Sequence, residues 1–191
     1  MTSRAPSTIG LVLLVACSGE VPPAAAPATK AASGSAVEQL FPLEDGNLYH
    51  YVTKDGDETG MLVAKVKRTD DKHGELQLSN KTNRFVYAAD GVTYDHGVYI
   101  LKAPLDVGAS WSGEHGGVVK IAAVDATAEV PAGRYMGCVR TVEDGGALPP
   151  GKRYETTYCP GVGMVLLVVS APVGQARAEL KSYGKPVVIA P

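Results

Sequence analysis

The sequence predicts an all-β fold, with a single antiparallel β-rich domain that follows a signal peptide and a flexible tether. Three observations lead to this prediction. From Glu38 onward the apolar residues come in short bursts, turn-forming Gly, Asp, Asn and Pro separate the bursts, and no long stretch keeps the helical period of about 3.6 residues. Strands that recur about every 8–12 residues, with turns between them, are typical of a curved sheet, a sandwich or an open barrel.

Residues 1–16 have the organisation of a secretory signal peptide. Arg4 provides a positive charge, and the apolar run at 9–16 is too short for a transmembrane helix, which needs about 20 residues. The run ends in LVAC at 14–17, which resembles the bacterial lipobox. The resemblance implies that the chain is cut before Cys17 and that this cysteine is lipidated, which anchors the protein in a membrane. The alternative is an uncleaved apolar N terminus in which the cysteine is buried.

Residues 17–37 are expected to form an extended tether, because small residues and prolines dominate and no aromatic residue appears. Prolines such as Pro27 argue against an Ala-rich helix in this segment. Ser18, rather than Asp, follows the cysteine, and the resemblance to the enteric sorting rule then favours the outer membrane of the cell envelope. The β-rich domain is predicted at 38–184 and a C-terminal tail at 185–191.

The strands are assigned from the apolar bursts and from the turns between them. Asp-Gly pairs at 55–56 and 90–91 favour tight hairpins, and Val-Pro-Ala-Gly at 130–133 suits a type I turn. The run at 164–169 is apolar on both faces, which predicts a central strand covered on both sides. The predicted strands lie near 47–54, 60–68, 74–80, 83–89, 91–95, 97–102, 117–125, 135–143, 152–159, 162–170 and 176–183.

The charge balance excludes one class of partner. The chain has 191 residues, with 18 Lys and Arg against 20 Asp and Glu, and its formal net charge is −2. Proteins that bind a phosphate backbone carry an excess of positive charge, so we expect no nucleic-acid partner. No glycine-rich phosphate-binding motif leads from a strand into a helix, and no cofactor is predicted.

Cys138 and Cys159 are predicted to form a disulfide. Lipidation uses the first of the three cysteines, and an exported protein would rarely keep the other two as free buried thiols, which is the alternative. The two cysteines lie on strands that a loop at 145–151 can join as a hairpin. A direct pair in that hairpin also sets favourable partners opposite one another, namely Val139 with Tyr158, Thr141 with Thr156, and Asp144 with Arg153.

Several short phrases of the sequence resemble a broad, uncharacterised group of bacterial lipoproteins. These phrases are Phe-Pro-Leu at 41–43 with Gly-Asn at 46–47, a solitary Trp111, Val-Pro-Ala-Gly at 130–133 before Cys138, and Pro-Gly-Val-Gly at 160–163. The resemblance implies an envelope location and a β-rich fold, but it transfers no active site. Cys159 departs from the group pattern, since Ala is commoner there, and Leu48 or Tyr49 stands where Trp is commoner.

Aromatic residues are concentrated in the first half of the β-rich domain. An aromatic strip on a curved sheet can line a groove for an apolar or amphipathic ligand, such as an acyl chain. The alternative is ordinary core packing, with the hydroxyl groups at the rim. The candidate ligand-binding residues are Tyr49, Tyr51, Tyr87 and Tyr99.

Candidate catalytic and metal-binding residues are few. Asp95 precedes His96, but adjacent residues of a strand point to opposite faces, so we do not expect the carboxylate to orient the imidazole. The acidic run at 55–60 begins like a calcium loop, yet Val66 stands at its twelfth position, and a charged hairpin tip is favoured. The four histidines lie far apart in the sequence, and no metal site is predicted.

We therefore expect a non-catalytic binding or scaffolding domain that Cys17 anchors to a membrane of the cell envelope. Its expected partners are that membrane and an apolar ligand or an envelope protein. Two alternatives stay open, a half-barrel that carries a lipid or another amphiphile, and an envelope hydrolase that uses His96 or His50. A deep apolar cavity would favour carriage, a histidine beside a carboxylate in a cleft would favour hydrolysis, and a filled core would leave scaffolding.

Overall fold

The computed structural model describes residues 35–186, so the signal peptide, Cys17, most of the predicted tether and residues 187–191 lie outside the described part of the chain. The described part contains one short helix, α1 (Ala36–Leu40), and twelve strands. The first six strands are β1 (Leu48–Asp55), β2 (Glu58–Arg68), β3 (His73–Gln77), β4 (Thr82–Ala88), β5 (Gly91–Tyr94) and β6 (Tyr99–Lys102). The others are β7 (Ser110–Ser112), β8 (Val118–Val130), β9 (Gly133–Asp144), β10 (Arg153–Cys159), β11 (Gly163–Ala171) and β12 (Gly174–Gly184).

All twelve strands form one sheet in the order β6-β5-β4-β3-β2-β1-β12-β11-β10-β9-β8-β7. Each paired strand runs antiparallel to its neighbour, which confirms the predicted all-β fold. Neighbouring strands are consecutive in the sequence everywhere except at the centre, where the last strand, β12, pairs with the first, β1. The sheet curls until its edge strands β6 and β7 face each other, and Trp111 of β7 contacts Tyr99 of β6.

The folded domain begins earlier than the sequence predicts. The prediction leaves residues 36–37 in the tether, whereas α1 contains them and buries Val37 and Leu40. A capping box starts the helix, in which the Glu38 N–H donates to the Ser35 hydroxyl and the Ser35 N–H donates to the Glu38 carboxylate. The helix and the three-residue strand β7 are both too short to show a sequence period, and both are absent from the prediction for that reason.

Helix α1 and the segment after it lie within the curl of the sheet. The helix contacts β5 on one side and β10 and β11 on the other, and these strands are far apart in the sheet order. The Tyr87 hydroxyl donates to the Phe41 carbonyl oxygen at 2.6 Å and accepts from the Leu43 N–H at 3.1 Å, which fixes the segment to β4. The Phe41 ring packs edge-on against Phe85 and Tyr158.

The prediction that the apolar strand at 164–169 is covered on both sides is wrong. In β11 Val165 is fully buried, whereas the four apolar residues that follow, 166–169, are only half-buried. A single curled sheet has one enclosed face and one outward face, so a strand at its centre is not sandwiched between layers.

The structure joins Cys138 and Cys159 by a disulfide between β9 and β10. The ladder between these strands sets Val139 opposite Tyr158 and Thr141 opposite Thr156, as the register argument predicts. The predicted partnership of Asp144 with Arg153 is not seen as an ion pair. The Arg153 guanidinium instead contacts the Glu155 carboxylate at 3.1 Å, because that residue lies two positions along on the same face of β10.

Candidate functional site

The curled sheet encloses a cavity of about 360 Å³. This volume lies in the range of roughly 300–1,000 Å³ that is usual for small-molecule sites. Its walls are mainly aliphatic and aromatic side chains from strands on both halves of the sheet, including Leu62, Leu76, Leu167, Phe85 and Val119. A molecule inside this cavity would therefore contact mostly apolar surface.

Three of the four predicted ligand-binding tyrosines line the cavity. The Tyr51 hydroxyl donates to the Met164 carbonyl oxygen at 2.9 Å, and the Tyr49 hydroxyl donates to that of Pro42 at 3.4 Å. The Tyr99 hydroxyl donates to the Asp90 carboxylate.

The fourth predicted residue, Tyr87, does not line the cavity. Its hydroxyl is used to hold the segment after α1, through the bonds to Phe41 and Leu43 described above. Tyr94, Tyr154 and Tyr158 line the cavity as well, although the sequence did not single them out as ligand-binding residues.

One end of the cavity is apolar. Phe41, Pro42 and Leu43, from the segment after α1, contribute to the lining there, together with Tyr158 at the far end of β10. The ring of Phe41 is 6.2 Å from that of Tyr158, and both side chains are buried. This end of the cavity is thus closed by the segment that the N-terminal helix introduces into the curl.

The other end carries a buried carboxylate, Glu143 of β9, which is only 7% exposed. Its oxygens accept hydrogen bonds from the backbone N–H groups of His115 and Gly117, at 2.9 and 3.0 Å. The His115 Nδ1 lies 2.7 Å from the same carboxylate. A side chain at Gly113 would collide with the Glu143 carboxylate, so the glycines of the loop at 113–117 allow this close approach.

The His115 imidazole is fixed by a second contact, since it stacks on the Tyr154 ring at a centroid distance of 3.8 Å. Its neighbour Glu114 lies 3.9 Å from the Lys81 ammonium, and this pair connects the loop at 113–117 with the turn before β4. Lys81 and His115 are 59% and 40% exposed, so solvent reaches this end of the cavity.

The polar and apolar ends are separated along β10. Tyr154 contacts His115, whereas Tyr158 contacts Phe41. The two tyrosines are four residues apart on one strand, which corresponds to about 13 Å. The cavity is consequently amphipathic along its length, with a charged and solvent-accessible end and a closed apolar end.

The buried tyrosines are uncharged at neutral pH. Burial raises the pKa of Tyr49, Tyr51 and Tyr158 well above the usual value for a phenol. Burial also raises the pKa of Tyr94, and its hydrogen bond to the Glu114 carboxylate raises it further. These hydroxyl groups therefore act as neutral hydrogen-bonding groups and add no charge to the wall of the cavity.

The two histidines named in the hydrolase alternative do not line the cavity. His50 lies 3.2 Å from the Ser182 hydroxyl, and His96 lies 3.4 Å from the Asp95 carboxylate with both side chains about half exposed. The expectation that the Asp95 carboxylate does not orient the His96 imidazole is wrong, since the two side chains are in contact. Strand β5 ends at Tyr94, so both residues lie in a turn where the alternation of a strand does not apply.

The pairing of His115 with Glu143 was not found from the sequence, because the two residues are 28 positions apart and the histidine lies in a loop. One signal was available. Glu143 continues the inward-facing set of β9 after Val139 and Thr141, and a buried carboxylate needs hydrogen-bond donors nearby. The glycine-rich loop at 113–117 supplies them.

The arrangement provides an oriented imidazole, but the described side chains that line the cavity include neither Ser nor Cys as a nucleophile. In its neutral form, an imidazole whose Nδ1–H donates to a carboxylate keeps Nε2 as a hydrogen-bond acceptor.

Across residues 35–186, no three His, Cys, Asp or Glu side chains are grouped so that they could hold a metal ion. In the same residues, no helix combines the length and the apolar character needed to cross a membrane.

Comparison with solved structures shows the fold. A candidate exported protein with a YmcC-like fold from Bacteroides fragilis superposes with a TM-score of 0.54 at 11% identity, over 76% of this chain and 98% of that one. A candidate lipoprotein from Parabacteroides distasonis gives a TM-score of 0.51 at 11% identity, with the same coverage of 76% and 98%. No family model matches the sequence. No curated protein matches it either.

Proposed function

We propose that this chain is a lipid-anchored protein of the bacterial cell envelope whose β domain binds an apolar or amphipathic small molecule inside the curled sheet. The observation that carries the binding role is the cavity of about 360 Å³ with mainly apolar walls. Protein interiors usually contain few voids larger than a water molecule. This cavity is far larger than the space needed for one water molecule, so it is more than imperfect packing leaves.

Binding is favoured over scaffolding and over hydrolysis. A scaffold would have a filled core, whereas an apolar ligand here would remove both its own surface and the cavity wall from water, at about 25 cal/mol per Å². Glu143 orients the His115 imidazole. The donors to that carboxylate all come from the loop at 113–117, so the contact is explained by its role in fixing the conformation of this loop. We therefore propose a non-catalytic carrier or receptor.

Three observations support the envelope location. The sequence LVAC at 14–17 resembles a lipobox. The disulfide between Cys138 and Cys159 fits an oxidising compartment. Two proteins that share the fold are described as a candidate exported protein and a candidate lipoprotein. The outer membrane is the proposed location, because Ser18 follows the cysteine.

The binding role is tested by titrating N-phenyl-1-naphthylamine, a neutral fluorescent probe, into the full chain carrying Cys17→Ala, so that no attached acyl chain competes. Leu62 lines the cavity, whereas its neighbour Met61 is 59% exposed on the other face of β2. We expect saturable binding at about one probe per chain, which Leu62→Trp weakens and Met61→Trp leaves unchanged. Equal weakening by both substitutions, or no saturable binding, would contradict the proposal.

The anchor is tested by fractionating cells that express the wild type or Cys17→Ala. We expect the wild type in the membrane fraction and the variant released from it, because the lipobox resemblance makes Cys17 the attachment site. If the variant stays in the membrane fraction as strongly as the wild type, the anchor proposal is wrong.

A further inference from the structure

We infer that the cavity selects amphiphiles whose head group is a positively charged hydrogen-bond donor, such as an alkylammonium, over those with a carboxylate head. The inference rests on the proposed binding function and concerns the polar end of the same cavity. It follows from the charges and the hydrogen-bonding groups of the loop at 113–117 and of the side chains that face it.

The groups at the polar end are mainly hydrogen-bond acceptors. Glu114 and Glu143 line the cavity with carboxylates, and both are less exposed than Lys81 across from them. When His115 is neutral and its Nδ1 carries the proton, Nδ1–H donates to Glu143 and Nε2 is left as an acceptor. The loop at 113–117 already supplies the donors to Glu143, so the acceptors open to a ligand are Glu114 and, when His115 is neutral, its Nε2. A ligand head group that supplies donors would complement these atoms.

Most donors near this end are already used within the protein. The Tyr99 hydroxyl donates to the Asp90 carboxylate, and the Thr141 hydroxyl donates to the Thr156 carbonyl oxygen. Among the described residues that line this end, Asn83 and Tyr154 carry neutral donors, and the Lys81 ammonium faces Glu114 at 3.9 Å. An anionic head group would therefore have to compete with Glu114 for one exposed lysine.

The charge balance points the same way. Two carboxylates and one ammonium line this end, so it is net negative when His115 is neutral. A ligand carboxylate close to Glu114 would be repelled, and the repulsion is stronger where protein displaces the water. A ligand ammonium at the same place would be attracted, and the tyrosine rings of the wall would add cation–π attraction.

The position of the polar end sets the orientation of such a ligand. Its head would lie by Glu114 and His115, where solvent has access, and its apolar chain would extend along β10 toward Phe41. The polar head would then remain hydrated in part, which lowers the cost of transferring its charge from water.

The test compares three probes with one chain length, namely dodecylamine, 1-dodecanol and dodecanoate, below the concentrations at which they aggregate. Each displaces N-phenyl-1-naphthylamine from the full chain carrying Cys17→Ala, at neutral pH and low salt. We expect dodecylamine to bind about tenfold more tightly than dodecanoate, with the neutral alcohol between them, because a tenfold ratio corresponds to about 1.4 kcal/mol. High salt should reduce the ratio, since the charges are partly exposed.

Two variants locate the selectivity. Glu114→Gln keeps the size of the side chain and removes the charge, and we expect it to lower the ratio at least threefold. Glu129→Gln makes the same change on an exposed part of β8 outside the cavity lining and should leave the ratio unchanged. Unfolding curves check that both variants fold.

The outcomes separate this inference from the proposed function. If dodecanoate binds as tightly as dodecylamine, or if Glu114→Gln leaves the ratio unchanged, the inference is wrong while the cavity still binds amphiphiles. If neither the neutral probe nor any of the three amphiphiles binds, the proposed function itself fails.

Discussion

The indole Nε1–H of Trp111 donates a hydrogen bond of 3.1 Å to the backbone carbonyl oxygen of Tyr99. These residues belong to β7 and β6, the two edge strands at which the sheet order ends. The bond thus connects the edges of the curled sheet through a side chain. Because Tyr99 also lines the cavity, the contact that closes the sheet also supports the wall of the proposed binding site.

Replacing Trp111 with Phe should loosen this closure. The substitution keeps an aromatic ring but removes the donor, and one lost hydrogen bond to a partly buried acceptor lowers the free energy of unfolding by about 1–2 kcal/mol. Urea unfolding followed by circular dichroism measures the change, since the chain has no other tryptophan for fluorescence. Amide exchange should accelerate in β6 and β7 and stay unchanged in β1. Unaltered exchange in the edge strands would contradict this account of closure.

Replacing Glu143 with Gln should destabilise the loop at 113–117. The carboxylate accepts two backbone N–H groups and contacts His115, and hydrogen bonds to a charged group contribute about 1.5–3 kcal/mol. We expect a loss of that size in the free energy of unfolding. Glu129→Gln, on an exposed position, is the matched control and should have little effect. Equal stabilities of the two variants would show that the buried carboxylate does not hold the loop.

Stability should fall steeply at alkaline pH. Burial raises the pKa of four tyrosines, so the unfolded chain releases these phenolic protons from about pH 10 upward while the folded chain retains them. The stabilisation is complete below that pH and is lost above it, at about 1.4 kcal/mol per pH unit for each tyrosine. Urea unfolding at pH 8 and pH 11 measures the loss of unfolding free energy. Tyr51→Phe removes one of the four titrating groups, so it should make this loss smaller by the contribution of one tyrosine. Equal unfolding free energies at the two pH values would exclude this coupling.

The disulfide should leave no free thiol at Cys138 or Cys159 in the unreduced protein. The two residues are 21 positions apart, and closing a loop of this size contributes about 3 kcal/mol in the chain-entropy model. The double variant Cys138→Ala, Cys159→Ala should therefore unfold at lower urea concentration. Thiol titration of the denatured Cys17→Ala chain provides the direct check, and about two thiols per chain would contradict the bond.

The strands and the disulfide register could be predicted because both depend on local chemistry. Gly133 ends the turn at 130–133 and pairs with Val130, as the turn residues indicate. Once Cys138 is placed opposite Cys159, the antiparallel register follows by counting, and the structure has Val139 opposite Tyr158. The partner of Arg153 could not be predicted from the register in this way, because its long side chain can reach several neighbouring residues.

Unlike the strands and the disulfide, the cavity does not follow from local sequence patterns. Buried tyrosines such as Tyr49 and Tyr51 are expected both in a filled core and in the wall of a cavity, so the sequence does not distinguish the two. Which of the two forms depends on the curvature of the sheet and on long-range pairing, such as that of β1 with β12 at opposite ends of the domain sequence. The contact of His115 with Glu143 depends on the same long-range arrangement.

The most direct test of the binding site uses the methionine methyl groups as reporters. The chain has four methionines, of which Met164 lines the cavity while Met61 and Met136 are 59% and 73% exposed. Methyl NMR spectra of the full Cys17→Ala chain, labelled at methionine, are recorded as N-phenyl-1-naphthylamine is added to saturation. The account predicts that the Met164 resonance shifts and that those of Met61 and Met136 do not. A shift at Met61 or Met136 with Met164 unchanged would place the ligand on the outer surface and contradict an interior binding site.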